Sequence, residues 1–136
     1  MSSLQEKYKD HFILFIEAGF IAVNQMDETS ALKLFHAAKL INPHASINDL
    51  AMGYFHLCRL EISKCLEHLD RLLKHEPNNE IAKSFKAMAL TLSTDRVKEG
   101  HKILEELKRS HNKEVEQFSH QGLEFIEKFV KKTTAK

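Results

Sequence analysis

The chain reads as an all-α protein: about three helical hairpins in a row, followed by a C-terminal helix that caps them. Three observations carry that reading. The segment "ALKLFHAAKLINP" at residues 31–43 is echoed 34 residues later by "CLEHLDRLLKHEP" at residues 65–77. Glycine (four) and proline (two) are scarce among 136 residues, a balance that suits long helices. Apolar residues recur at spacings of three and four through most of the chain, as they do in helices with one buried face.

The echo holds position by position. A shift of 34 takes Gly19 to Gly53, Ala31 to Cys65, Phe35 to Leu69, Ala38 to Leu72 and Pro43 to Pro77. Small residues at the first two positions let the two helices of a hairpin approach, because no side chain holds their axes apart. Phe35/Leu69 and, three residues on, Ala38/Leu72 share one helical face and fill the space against the next pair. Pro43 and Pro77 cannot continue a helix and restrict the residue before them, so each closes a unit. A worn third unit begins near Asn79: Ala87 falls 34 after Gly53, and a one-residue slip then puts Gly100, Leu104, Leu107 and Asn112 in the roles of Cys65, Leu69, Leu72 and Pro77.

Helices are expected at about 3–24, 28–41, 46–59, 62–75, 79–93, 95–110 and 113–132. Asp27, Ser46 and Asn79 are the expected N-caps, and Asp49, three residues after Ser46, suggests a variant capping box. The last helix carries Val115, Phe118, Gly122, Phe125, Ile126 and Phe129 at spacings of three and four, which suits a cap over the end of the stack.

Composition excludes several function classes. Lys plus Arg (20) nearly cancel Asp plus Glu (19) and are spread along the chain, so no phosphate-neutralising stripe points to nucleic acid. No apolar run approaches the roughly 20 residues that span a bilayer. The "MSSLQEKYKDHF" start lacks the basic segment and apolar core of a secretory signal, and Cys58 and Cys65 are too few for a disulfide framework, so a reducing cytoplasm is expected. Of the nine histidines, His68 and His75 lie seven apart with no third ligand in the pattern, and His36, His101 and His111 fall on wet positions, so no metal is expected. No phosphate loop, C-x-x-C, H-E-x-x-H or G-x-S-x-G occurs. Glu99 with Lys102 and Glu105 with Arg109 read as exposed ion pairs, and both cysteines read as packing residues. Neither an enzymatic site nor a cofactor is expected.

These features resemble the tetratricopeptide repeat, a 34-residue helix-turn-helix unit patterned W-x2-L-G-x2-Y, then A-x3-F, then P. The first unit runs Phe15-x2-Ala18-Gly19-x2-Ala22, Ala31-x3-Phe35, Pro43; the second runs Asp49-x2-Met52-Gly53-x2-His56, Cys65-x3-Leu69, Pro77. The second halves match better than the first, and Asp49 and His56 depart from the pattern. The resemblance implies a right-handed superhelix forming a single domain over residues 1–136, with repeats at about 12–45, 46–79 and 80–112 and the capping helix at about 113–132. It also implies a concave groove lined by the first helix of each pair. That groove would offer Ile13, Ile16, Phe20 and Val23, then Ile47, Leu50, Tyr54 and Leu57, then Ile81, Ser84 and Met88. Where carboxylate-clamping members carry Lys, Arg and Asn, this chain has Ile16, Phe20, Leu50 and Tyr54. Such a groove suits an amphipathic helix laid apolar side down.

A solitary array of this size, with the stretch "LFIEAGFIAVNQMDETSALKLFHAAKLINPH" and the later "NNEIAKSFKAMAL", resembles the needle-subunit chaperones of bacterial type III secretion. The resemblance implies a cytoplasmic, hetero-oligomeric protein that keeps an aggregation-prone secreted needle subunit monomeric before export. The subunit's amphipathic helix would lie in the groove, and a small helical co-chaperone would dock on the outside near the first repeat. A chaperone for the translocator proteins of the same system and a general tetratricopeptide adaptor or scaffold are the alternatives.

Overall fold

The computed structural model describes residues 3–130, which are helical, with no strand among them. The chain divides after His75 into two compact units. The first holds α1 (Ser3–Tyr8), a 3₁₀ turn (Lys9–His11), α2 (Phe12–Asn24), α3 (Glu28–Ile41), α4 (Ile47–Cys58) and α5 (Ile62–His75). The second holds α6 (Glu80–Thr91), α7 (Val97–Leu107), α8 (Lys113–Phe125) and a closing π turn (Ile126–Val130). The expected helix over 113–132 is therefore α8 plus that turn, and residues 131 and 132 lie outside the described residues.

Consecutive helices pair within each unit. In the first unit α2 packs on α3 and α4 on α5, while α4 also rests on both α2 and α3. In the second unit α6 pairs with α7, and α8 packs on both. The expected helix over 3–24 is broken at Lys9–His11. A straight helix of that length would run about 33 Å, yet its first turns must reach α3, where the Gln5 amide donates to the Leu40 carbonyl at 3.2 Å, while Phe12 and Ile16 enter the core. The 3₁₀ turn supplies the change of direction.

At the centre of the first unit Phe35 lies between two residues of α2. Its ring meets Phe20 edge-on, with centroids 5.7 Å apart, and lies flush against Gly19, where a Cβ would overlap it. Phe12, Ile16, Ala22, Ala31, Ala38, Ile41, Ala51 and Phe55 complete this core. The contact recurs in the next hairpin, where a Cβ on Gly53 would fall 2.8 Å from Leu69 Cδ2. In the second unit Ala87 and Leu104 share a core with Ile126, and Gly122 of α8 meets Leu104 from another side.

The turn closing each first helix also repeats. Met26 and Leu60, 34 apart, both adopt positive φ, 62° and 60°. In each turn the next amide reaches back to the same place on the helix: Asp27 N–H to Ala22 O and Glu61 N–H to His56 O, both at 2.9 Å. This is a Schellman-type stop with bulky residues where glycine is usual, held at a cost of about 1–2 kcal/mol each. Of the expected caps, Asp27 accepts from Ser30 N–H at 3.1 Å and Asn79 from Ala82 N–H at 3.0 Å. Ser46 makes no side-chain cap and is itself helical, with φ −62° and ψ −27°; no capping box forms because Asp49 turns to α5 instead. Asn112, given the role of the closing proline, caps α8 by accepting from Glu114 and Val115 N–H.

The small-against-large contact makes a graded expectation. Replacing a mid-helix glycine by alanine gains about 1 kcal/mol of helix propensity, while overpacking costs about 1–3 kcal/mol. At Gly19 the obstacle is a rigid ring, at Gly53 the movable end of a leucine. Gly19→Ala is expected to destabilise by about 1–2 kcal/mol and Gly53→Ala by under about 0.5 kcal/mol, compared by urea denaturation.

Candidate functional site

The residues expected to line a groove fall into three settings. Ile16 is 2% exposed and lies with Phe12 and Phe35 in the core. It is thus corrected from a binding residue to a packing one, because it follows Phe12 by one turn and precedes Gly19 by another on the face turned to α3. Leu57 is buried as well, and so is Ser84, whose hydroxyl donates to the Glu80 carbonyl at 2.8 Å. Phe20, Val23, Ile47, Leu50 and Tyr54 are half-buried. Of these, Phe20 and Tyr54 come together: their rings lie 5.2 Å apart, and the Tyr54 hydroxyl donates to Asn24 Oδ1. Burial, and after it the Cys58 thiol, raises the Tyr54 pKa. Ile13 is exposed. In the second unit Ile81 is exposed, and Met88 joins Leu92, Leu104, Phe118 and Phe125 around an apolar cleft of about 340 Å³.

The outer side of α2 is an exposed apolar surface, and of its three large residues only Ile13 is among those expected to line a groove. Ile13, Leu14 and Ile21 are 52%, 57% and 57% exposed, and Ala18 is half-buried between them. From Phe12 to Val23 the helix carries one charged residue, Glu17. A helix apolar on all sides is normally covered on all sides.

The repeat itself says what this face is. A shift of 34 takes Ile13, Glu17, Ala18 and Ile21 to Ile47, Ala51, Met52 and Phe55. Those four residues of α4 pack onto the core of the preceding hairpin, Ala51 and Phe55 fully buried. The outer side of α2 is therefore the stacking face of the first repeat, apolar like its counterpart except at Glu17 and left exposed among the described residues. Scanning for residues that would be core one repeat later could have found Ile21.

The departures from the repeat pattern at Asp49 and His56 form a second feature. Both lie on the side of α4 that faces α5 and both find partners there. His68 Nδ1 lies 2.9 Å from Asp49 Oδ1, which also accepts from Arg71 at 2.9 Å. His56 Nδ1 lies 3.0 Å from Glu61 Oε1, which accepts from Arg59 Nε at 2.7 Å. The two imidazoles stack, with centroids 5.6 Å and planes 13° apart. Arg59 continues to Glu28 at the start of α3, so the array of charges ties the second hairpin to the first. The His56 hydrogen bond, followed by that from Arg59, pulls Glu61 down from 4.5 to about 2. Among the described residues no group of three or more His, Cys, Asp or Glu is placed to hold a metal ion, and no helix is long and apolar enough to cross a membrane.

Several smaller expectations change. His75, paired with His68 on paper, is exposed, as are His36 and His111, while His101 is half-buried. Glu99 forms its ion pair with Arg96 and Glu105 with Lys108 and His101, in place of the expected Lys102 and Arg109, although Arg109 adds a longer-range attraction to Glu105. Cys65 is buried, and burial is the main cause that pushes its thiol up to about 12. Cys58, expected to pack, is exposed beside Val23, Met26 and Arg59, because it occupies the last turn of α4 on the side away from α5.

Two measurements test this site. Glu61 is held ionised in the fold, so its contribution to stability is present above its ordinary pKa of 4.5 and drains away as pH falls toward about 2. The stability gap between wild type and Glu61→Gln is expected to be open at pH 6 and closed at pH 2, read from urea midpoints. With a chromogenic disulfide reagent, Cys58 is expected to react in the native protein and Cys65 only on unfolding; equal rates would contradict the burial described for Cys65. No family model, curated protein or solved structure matches this chain.

Proposed function

We propose that this chain is a holding chaperone of type III secretion, which binds the amphipathic helix of an aggregation-prone secreted needle subunit and keeps it monomeric in the cytoplasm, with a small helical co-chaperone beside it. The observation that carries the reading is the stacking face of α2, where Ile13, Leu14 and Ile21 stand in water, while one repeat later the counterparts of Ile13 and Ile21, Ile47 and Phe55, pack against the core. An exposed apolar side of this kind is a surface for a protein partner, and its partner is a helix or hairpin that supplies one more course. That is the role assigned to the co-chaperone.

The client helix is assigned to the side of the first unit that carries Phe20, Val23, Leu50 and Tyr54, and the cleft at Met88 and Phe125 offers the second unit a separate apolar contact. Holding requires no nucleotide. Capturing the helix lowers its free concentration by mass action, and free client at a hundred times its Kd would stabilise the folded chaperone by about 2.7 kcal/mol.

The test is co-expression with small secreted helical subunits and candidate co-chaperones, followed by size-exclusion chromatography. The wild-type chain is expected to co-elute with both. Leu14→Asp and Ile21→Asp change exposed residues, so they should shift folding by no more than about 0.5 kcal/mol while releasing the co-chaperone. A wild-type chain that remains alone with every needle-type and translocator-type subunit would refute the chaperone reading.

A further inference from the structure

The stacking face of α2 carries a charge that its counterpart on α4 lacks. Where α4 has Ala51, fully buried, α2 has Glu17, exposed. Glu17 sits in the middle of the face: Ile13 and Leu14 lie one turn before it, Ala18 beside it and Ile21 one turn after. It is also the one charged residue between Phe12 and Asn24. A helix that covers Ile13 and Ile21 together has to pass over Glu17 and take its carboxylate out of water.

That geometry restricts the partner. An ionised carboxylate removed from water without a partner is strongly disfavoured, and leaving one charge of a pair unmatched at an interface is among the largest losses known there. We propose that the stacking face of α2 selects an amphipathic partner helix with a lysine or arginine in the middle of its apolar side, set to meet Glu17, with apolar residues one turn on either side for Ile13, Leu14 and Ile21. The occupant is thus a helix of another protein whose apolar stripe is interrupted by one cation. The inference rests on reading this face as a docking surface and adds to it the charge of what docks. Glu17 has a second consequence in the free protein. Two copies of the face brought together would oppose two carboxylates, so the same residue that admits a basic helix repels a second copy of this chain.

The test is selection from a displayed library of idealised amphipathic helices, randomised at the central position of the apolar side, against the full chain and its Glu17→Lys variant. Glu17 is exposed, and circular dichroism checks that the variant keeps its helices. Lysine and arginine are expected to dominate the central position of helices selected by the wild type, and aspartate and glutamate that of helices selected by Glu17→Lys. A synthetic peptide with central lysine should bind the wild type about tenfold or more tighter than its glutamate twin, the order reversing on the variant and the gap narrowing at high salt. Both should lose binding to Ile21→Asp. If the two twins bind the wild type equally, or the order does not reverse, the charge selection is overturned while the docking face stands. If no library member binds, or binding ignores Ile21→Asp, the docking face falls with it.

Discussion

Each hairpin of this protein depends on one steric arrangement: a residue with little or no side chain on the first helix faces a bulky one on the second. Gly19 against Phe35 and Gly53 against Leu69 place two helices so close that a single methyl on the first would meet the side chain of the second. With the axes that near, Ala31, Ala38 and Cys65 can also be wholly buried. The bulky partner then extends past its own hairpin, as Phe35 does in a core that Ala51 and Phe55 of α4 also join. Close approach within a pair and stacking between pairs therefore come from the same residues.

The arrangement explains which parts of the fold could be read from the sequence. Positions that set the hairpin, such as Gly19, Phe35, Pro43 and their echoes, must be small, large or helix-ending for steric reasons, and the 34-residue shift exposes them without knowledge of neighbours. The end of each first helix was legible only in part. Asp27 is an ordinary cap, whereas the left-handed Met26 and Leu60 carry none of the glycine that marks such a stop. The break at Lys9–His11 was hidden because each residue there tolerates a helix, and the bend comes from the need to reach α3 and the core at once.

The candidate site was harder to read, and for a different reason. Helical spacing says which residues share a face but not which neighbour covers it. Ile16 and Ile13 are three apart, both apolar, and equally eligible for a groove, yet one is interior and the other stands in water. Asp49 and His56 looked like defects of the repeat because each was compared with a consensus position. Their partners are His68 on the following helix and Glu61 in the turn that leads into it, so the compensation is visible only when the hairpin is closed.

These two features divide the work of the first unit between polar and apolar means. In the second hairpin the two positions that the repeat pattern fills with aromatics hold Asp49 and His56; His56 stacks on His68, each imidazole meets a carboxylate, and Arg59 extends the network to Glu28 of the first hairpin. That network is directional: it holds one particular neighbour by matched charges. The outer side of α2 has the opposite character, apolar residues around a single acid that stand exposed among the described residues. Apolar area gives adhesion without direction, so discrimination at that face falls to Glu17. On the function proposed above, that face is where one more course, supplied by another chain, would be added.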